Sequence, residues 1–127
     1  MKSLLVSSRR PDVTFHSDGR IDIAAHLAKR LSLSPGDVID IMQDGADFYL
    51  VIRFRGDKVI GRHEAQCYPT KPRSMNYRCH SARLCRLMIH IAGADRRLSL
   101  MAGETRVIAG IMAVTLIVAP AHVAVNR

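Results

Sequence analysis

Glycine-centred turns and a single Pro-Gly break cut residues 12–54 into pieces too short for a long helix or a long strand, and this punctuation limits the fold more than any other feature. Ser17-Asp18-Gly19 predicts a tight turn, because glycine accepts positive φ while serine and aspartate side chains bond their own backbone. The flanking segments, Asp12 to His16 and Arg20 to Ile23, alternate. Val13, Phe15, Ile21 and Ile23 fall on one face, with Thr14, Arg20 and Asp22 on the other, as a half-buried hairpin requires. Ala24 to Leu33 then changes to helical spacing. Ile23, Leu27 and Leu31 recur at i, i+4 and i+8, and Lys29 and Arg30 sit off that stripe. Ser34-Pro35-Gly36 ends the helix, since proline cannot continue it and glycine allows a left-handed exit. Period two returns from Asp37 to Met42, with Ile39 and Ile41 expected inward and Val38 and Asp40 outward. Asp44-Gly45 turns the chain into a further strand, Asp47 to Phe54.

Taken in this order, residues 12–54 resemble the AbrB/MazE-like swapped-hairpin family of DNA-binding regulators and antitoxins. The resemblance rests on Gly19-Arg20, on Ile21 and Ile23 of the following strand, on Lys29-Arg30 in the helix, on Leu31 and Leu33, and on Pro35-Gly36-Asp37. Two positions depart from the family pattern: Ala24 stands where proline is usual, and Ala28 follows Leu27 where arginine is common. The resemblance implies a mainly β fold with short helices built on a swapped-hairpin β-barrel, to which a C-terminal helix and β-meander, read from the spacing of the later residues, are an extension. It also implies a homodimer that binds double-stranded DNA as a regulator or antitoxin, in the latter case with a toxin as protein partner. Arg20, Lys29 and Arg30 are the DNA-contacting residues by that likeness, and a two-fold dimer would present each of them twice.

Charge points the same way by an independent route. The chain has 127 residues and a net charge of +8. Residues 1–52 hold six basic and seven acidic side chains, whereas residues 53–97 hold eleven basic and three acidic. Such a concentrated surplus fits a polyanionic partner. A lone lysine or arginine reads as a solvated side chain over an apolar surface, so the grouping carries the argument. Arg53, Arg55 and Arg73 therefore join the candidate DNA-binding residues, and Arg9 and Arg10 join them as a basic arm ahead of the first strand. With 5% aromatic residues and no tryptophan, a base-stacking platform for single strands is poorly supplied.

Beyond Phe54 the pattern loosens. Residues 55–80 read as a basic linker, with Pro69, Lys71, Pro72 and Arg73 in a loop from Tyr68 to Asn76 that has no apolar period. Ser81 to Ile91 regains helical order, Leu84, Leu87, Met88 and Ile91 lying at i, i+3, i+4 and i+7, with Ser81 placed to cap it. Arg97–Met101, Arg106–Ala109 and Met112–Val118 read as three short strands, with turns at Ala102-Gly103-Glu104 and at Gly110. The expected organisation is a leader (1–11), a swapped-hairpin-like β domain (12–54), the linker (55–80), a helix and meander packed with the first part (81–120), and a tail (121–127). No tract reaches the ~20 apolar residues of a spanning helix, and no secretory leader is visible, so a cytoplasmic protein with reduced thiols is expected.

Chemistry-bearing motifs are scarce. His63, Cys67, Cys79, His80, Cys85 and His90 cluster in sequence, but their spacing is wide and irregular and lacks the close ligand pairs of a structural zinc site. Cys85 reads as a small core residue and His80 as a surface one. There is no phosphate-binding glycine loop, dinucleotide fingerprint or nucleophile elbow. A non-enzymatic protein without metal or cofactor is expected, and the alternative to DNA binding is an interaction or assembly module built on the same small barrel. The two are separated by whether Arg20, Lys29 and Arg30 converge on one exposed face or are consumed in internal pairs.

Overall fold

Alternation produces the first hairpin as expected. The structure, a computed structural model, describes residues 11–118. Strands β1 (Val13–His16) and β2 (Arg20–Ile23) pair antiparallel across a turn in which Gly19 takes φ +97°. Helix α1 (Ala25–Leu31) buries Leu27, Ala28 and Leu31. It stops earlier than the Pro-Gly break, because Ser32 itself adopts the left-handed conformation and its N–H bonds back to Ala28 and Lys29 carbonyls. Its first turn has no side-chain cap of its own. Asn76, far along the chain, supplies one by accepting from the Ala25 N–H at 2.8 Å.

The second hairpin joins β3 (Val38–Asp44) to β4 (Asp47–Phe54). Val38 was expected to face outward, yet it is buried with Ile39. A register shift between the two residues lets both turn inward, as a β-bulge does. After a 3₁₀ turn (Gly56–Lys58), the stretch read as a linker is partly strand. It contains β5 (Tyr68–Pro69) and β6 (Tyr77–His80), which pair with each other, and β6 also pairs with β2. Helix α2 (Ala82–Ile91) follows, with Ser81 Oγ accepting from the Leu84 N–H as the sequence predicts.

The expected three-strand meander is two strands, β7 (Arg97–Ile108) and β8 (Ile111–Ile117). Ala102-Gly103-Glu104 does not turn the chain. It forms a bulge, and the register with β8 shifts between Ala102 and Thr105 while the strand continues. β7 thereby pairs with β1 at its start and with β8 through the rest of its length.

All eight strands form one antiparallel sheet in the order β3-β4-β8-β7-β1-β2-β6-β5, curled into a half-barrel. The two hairpins of residues 12–54 are thus not neighbours, since β7 and β8 lie between them. The segment before β5 ties the two ends of the sheet together. Ile39 N–H donates to Ala65 O at 3.1 Å, Cys67 N–H to Asp37 O at 2.8 Å, and Ala65 N–H to His80 O at 2.9 Å. One apolar core runs inside, drawing on Phe15, Ile21, Leu27, Ile39, Leu50, Met88, Leu98 and Val114 from both halves of the chain. No described helix is long and apolar enough to cross a membrane.

Candidate nucleic-acid interface

Where the residues of four adjacent strands point inward, they are apolar: Val13 and Phe15, Ile21 and Ile23, Tyr77 and Cys79, Leu98 and Leu100 are all buried. Their alternates compose the outer face. Register sets Arg78 opposite Asp22, Asp22 opposite Thr14, and Thr14 opposite Ser99. One step along, His80 stands opposite Arg20 and His16 opposite Arg97. Two polar rows therefore cross β6, β2, β1 and β7, built by the same alternation that builds the core.

Asp22 is the centre of these rows. Its carboxylate accepts from Arg78 Nε at 2.7 Å and sits 3.0 Å from His16 Nε2, while Arg20 Nε lies 3.2 Å away in an ion pair. That Arg20 Nε is buried and forms no hydrogen bond in this geometry, so the contact is one of charge. Partial burial pushes the Asp22 carboxyl up. Hydrogen bonds from Arg78 and His16 and the charges of Arg78 and Arg20 outweigh it, holding the group below the usual carboxylate range. Asp18, in the turn, accepts from the Arg20 backbone N–H at 3.0 Å, which lowers its pKa too. Arg97 has no side-chain partner among the described residues. With Thr14, His16, Asp22 and Ser99 it lines a shallow recess of about 560 Å³. Two guanidinium groups, Arg20 and Arg78, thus meet the Asp22 carboxylate, while Arg97 lies on the same face without a carboxylate partner among the described residues.

The candidate residues named from the sequence fare differently. Arg9 and Arg10 lie outside the described residues. Arg20 is on this face. Lys29 is exposed and has no partner among the described residues. Arg30 reaches the β7 bulge, where its Nη2 donates to Gly103 O and, at 2.8 Å, meets Thr105 Oγ1. Arg53 pairs with Asp40 at 3.1 Å and lies over the Phe54 ring. Arg55 donates to Asp37 at 2.9 Å and to Ser32 O at 2.8 Å. Arg73 is exposed in its loop with φ +65° and no partner among the described residues. No hydrogen bond or ion pair links Arg20 to Lys29 or Arg30. Arg78 and Arg97, which share the face with Arg20, were not singled out from sequence. Their signal was the alternation of Tyr77-Arg78-Cys79-His80 and of Arg97-Leu98-Ser99-Leu100.

The thiols are interior. Cys67, Cys79 and Cys85 are free and buried. Hydrogen bonding of the Cys79 thiol to Cys67, together with burial, pushes the Cys79 thiol far up, so it stays protonated. Among the described residues no three His, Cys, Asp or Glu side chains gather as a metal-binding group. His80 is exposed on β6. No protein-family model matches the chain, and no curated protein or solved structure matches it either.

Proposed function

We propose that the protein binds double-stranded DNA through the outer face of β6, β2, β1 and β7, holding phosphates with Arg20, Arg78 and Arg97. The observation that carries this reading is the pair of polar rows, in which three arginines, two histidines and the hydroxyls of Thr14 and Ser99 share one side of the sheet. Arginine suits the task because its planar fork grips phosphate bidentately. The rows hold no Phe, Tyr or Trp of their own, although the exposed Tyr68 stands opposite Arg78 on the next strand, so the arginine contacts to phosphate carry the proposal. The swapped-hairpin dimer and the regulator or antitoxin role belong to the same proposal. A two-fold dimer would present the face twice and meet the duplex symmetrically.

A second reading, an interaction or assembly module, is favoured by one observation. Arg30, Arg53 and Arg55 are bonded within the chain, and Arg20 and Arg78 are paired with Asp22, so a separate anion must compete with internal partners for each of them. Fluorescence anisotropy with a labelled duplex at two salt concentrations separates the readings. Binding should fall steeply with salt, because each neutralised phosphate releases counterions. Arg78→Ala and Arg97→Ala should each lower the salt slope by about 1 and weaken binding across sequences. Absence of duplex binding by the wild type at low salt would leave the interaction module.

A further inference from the structure

We infer that the open edge of β3, at Ile41 and Gln43, receives an extended basic segment of a partner protein as an added strand. β3 is the first strand of the sheet, paired on one side with β4 alone. Ile39 N–H points away from β4, because it donates to Ala65 O. Strand geometry repeats every two residues, so the N–H and C=O groups of Ile41 and Gln43 project to the same side. Beyond Ile39 the 65–67 segment no longer follows the strand, and no described strand takes its place. Ile41 N–H is held at 2.8 Å by the carboxylate of its own neighbour, Asp40, rather than by another strand. An unpaired edge of this kind is a template for strand addition.

The edge also states what it will accept. Met42, Gln43, Asp44 and Asp47 are exposed, and neither Asp44 nor Asp47 has a cationic partner among the described residues. A second copy of the chain fits poorly. The symmetric register that uses Ile41 and Gln43 of both copies brings no cation to Asp44, which it sets against Asp40 of the other copy, a carboxylate already paired with Arg53. A segment bearing lysine or arginine meets the Asp44 and Asp47 carboxylates favourably. At the end of the open stretch, where the chain turns away at His63 and Glu64, lies a recess of about 290 Å³. Leu84 and Leu87, the latter 52% exposed, line it beside the ion pairs Arg53–Asp40 and Arg83–Glu64, in which each cation is already matched by a carboxylate. It takes one apolar side chain of the added segment, so backbone bonds supply affinity and the recess supplies selection.

The test is amide hydrogen exchange by NMR on the full chain, with a capped peptide of alternating lysine and valine of about eight residues. Exchange at Ile41 and Gln43 should slow by roughly tenfold or more in its presence. Gln43→Pro should abolish the effect. The N–H it removes faces outward, and proline is tolerated at such edge positions without breaking the β4 ladder. Asp44→Lys with Asp47→Lys should weaken it independently, whatever the proline variant does to folding. Three results would each overturn the inference: unchanged exchange at Ile41 and Gln43, equal binding of a glutamate-valine peptide, or protection that grows with protein concentration without peptide. The last would assign the edge to a second copy.

Discussion

The two halves of the sheet are alike inside and opposite outside. Phe15, Ile21 and Leu98 line the core from one half, and Ile39, Leu50 and Val114 from the other. On the reverse side, β6, β2, β1 and β7 display Arg78, Asp22, Thr14 and Ser99 to water, whereas β4 and β8 carry Tyr49, Val51 and Ala113, which are themselves buried. The inward pattern therefore specifies the fold, and the outward one decides what each half is available for. Two aspartates make the contrast concrete. Both Asp22 and Asp37 pair with arginine, but the Asp22 side chain is 32% exposed and that of Asp37 only 2%. Burial turns one into a structural lock and leaves the other part of a surface that a ligand can reach.

The largest effect is expected at that lock. Asp37 accepts from Ser34 N–H at 2.8 Å, Gly56 N–H at 2.7 Å and Arg55 Nη1 at 2.9 Å, so it fastens the start of β3 to the end of β4. Asp37→Ala strands these donors and should cost about 3–5 kcal/mol in urea unfolding. Asp22→Ala, with its donors near solvent, should cost much less. Equal losses would erase the distinction between the two halves. Gly56→Ala tests the same junction from the other side. A Cβ there would meet Pro35 O at 2.7 Å and the Gly36 carbonyl carbon at 2.8 Å, both backbone atoms that cannot rotate aside. A loss of about 1–3 kcal/mol is expected. A neutral substitution would mean that the junction yields easily and that Asp37 acts alone.

How far the sequence was readable follows from the range of each interaction. The β1–β2 and β3–β4 hairpins, α2 and its Ser81 cap are local, and their turns and periods were legible. Non-local events were not. Ala102-Gly103-Glu104 has turn composition, but β8 pairs on both sides of it and carries the strand through as a bulge. Val38 departs from alternation because the register shifts between it and Ile39. The same limit applied to charge. Arg30 and Arg55 read as free cations because their partners, Gly103, Thr105, Ser32 and Asp37, are brought to them only by folding. Asp22 beside Arg20 was visible as an opposing charge. Arg78 and Arg97 came to the same face only through pairing across the sheet.

The smallest expected effect probes the exposed half most directly. Asp22→Asn keeps the shape of the side chain and one acceptor for Arg78, but removes a negative charge from the proposed DNA face. At a spacing of a few ångström in largely aqueous surroundings, that charge is worth on the order of 1 kcal/mol or less, so duplex affinity at low salt should rise by about threefold. The gain should shrink as salt is added. Stability should move the opposite way. The folded Asp22 carboxyl lies below its ordinary range, so its contribution is present above the unfolded pKa, about 4, and is lost as pH falls through the lower folded value. Wild type should therefore be the more stable protein at neutral pH, and the two unfolding curves should converge in acid. If affinity falls in Asp22→Asn while stability behaves as stated, Asp22 holds Arg20 and Arg78 in the geometry that phosphate needs. If affinity is unchanged, DNA does not bind on this side of the sheet.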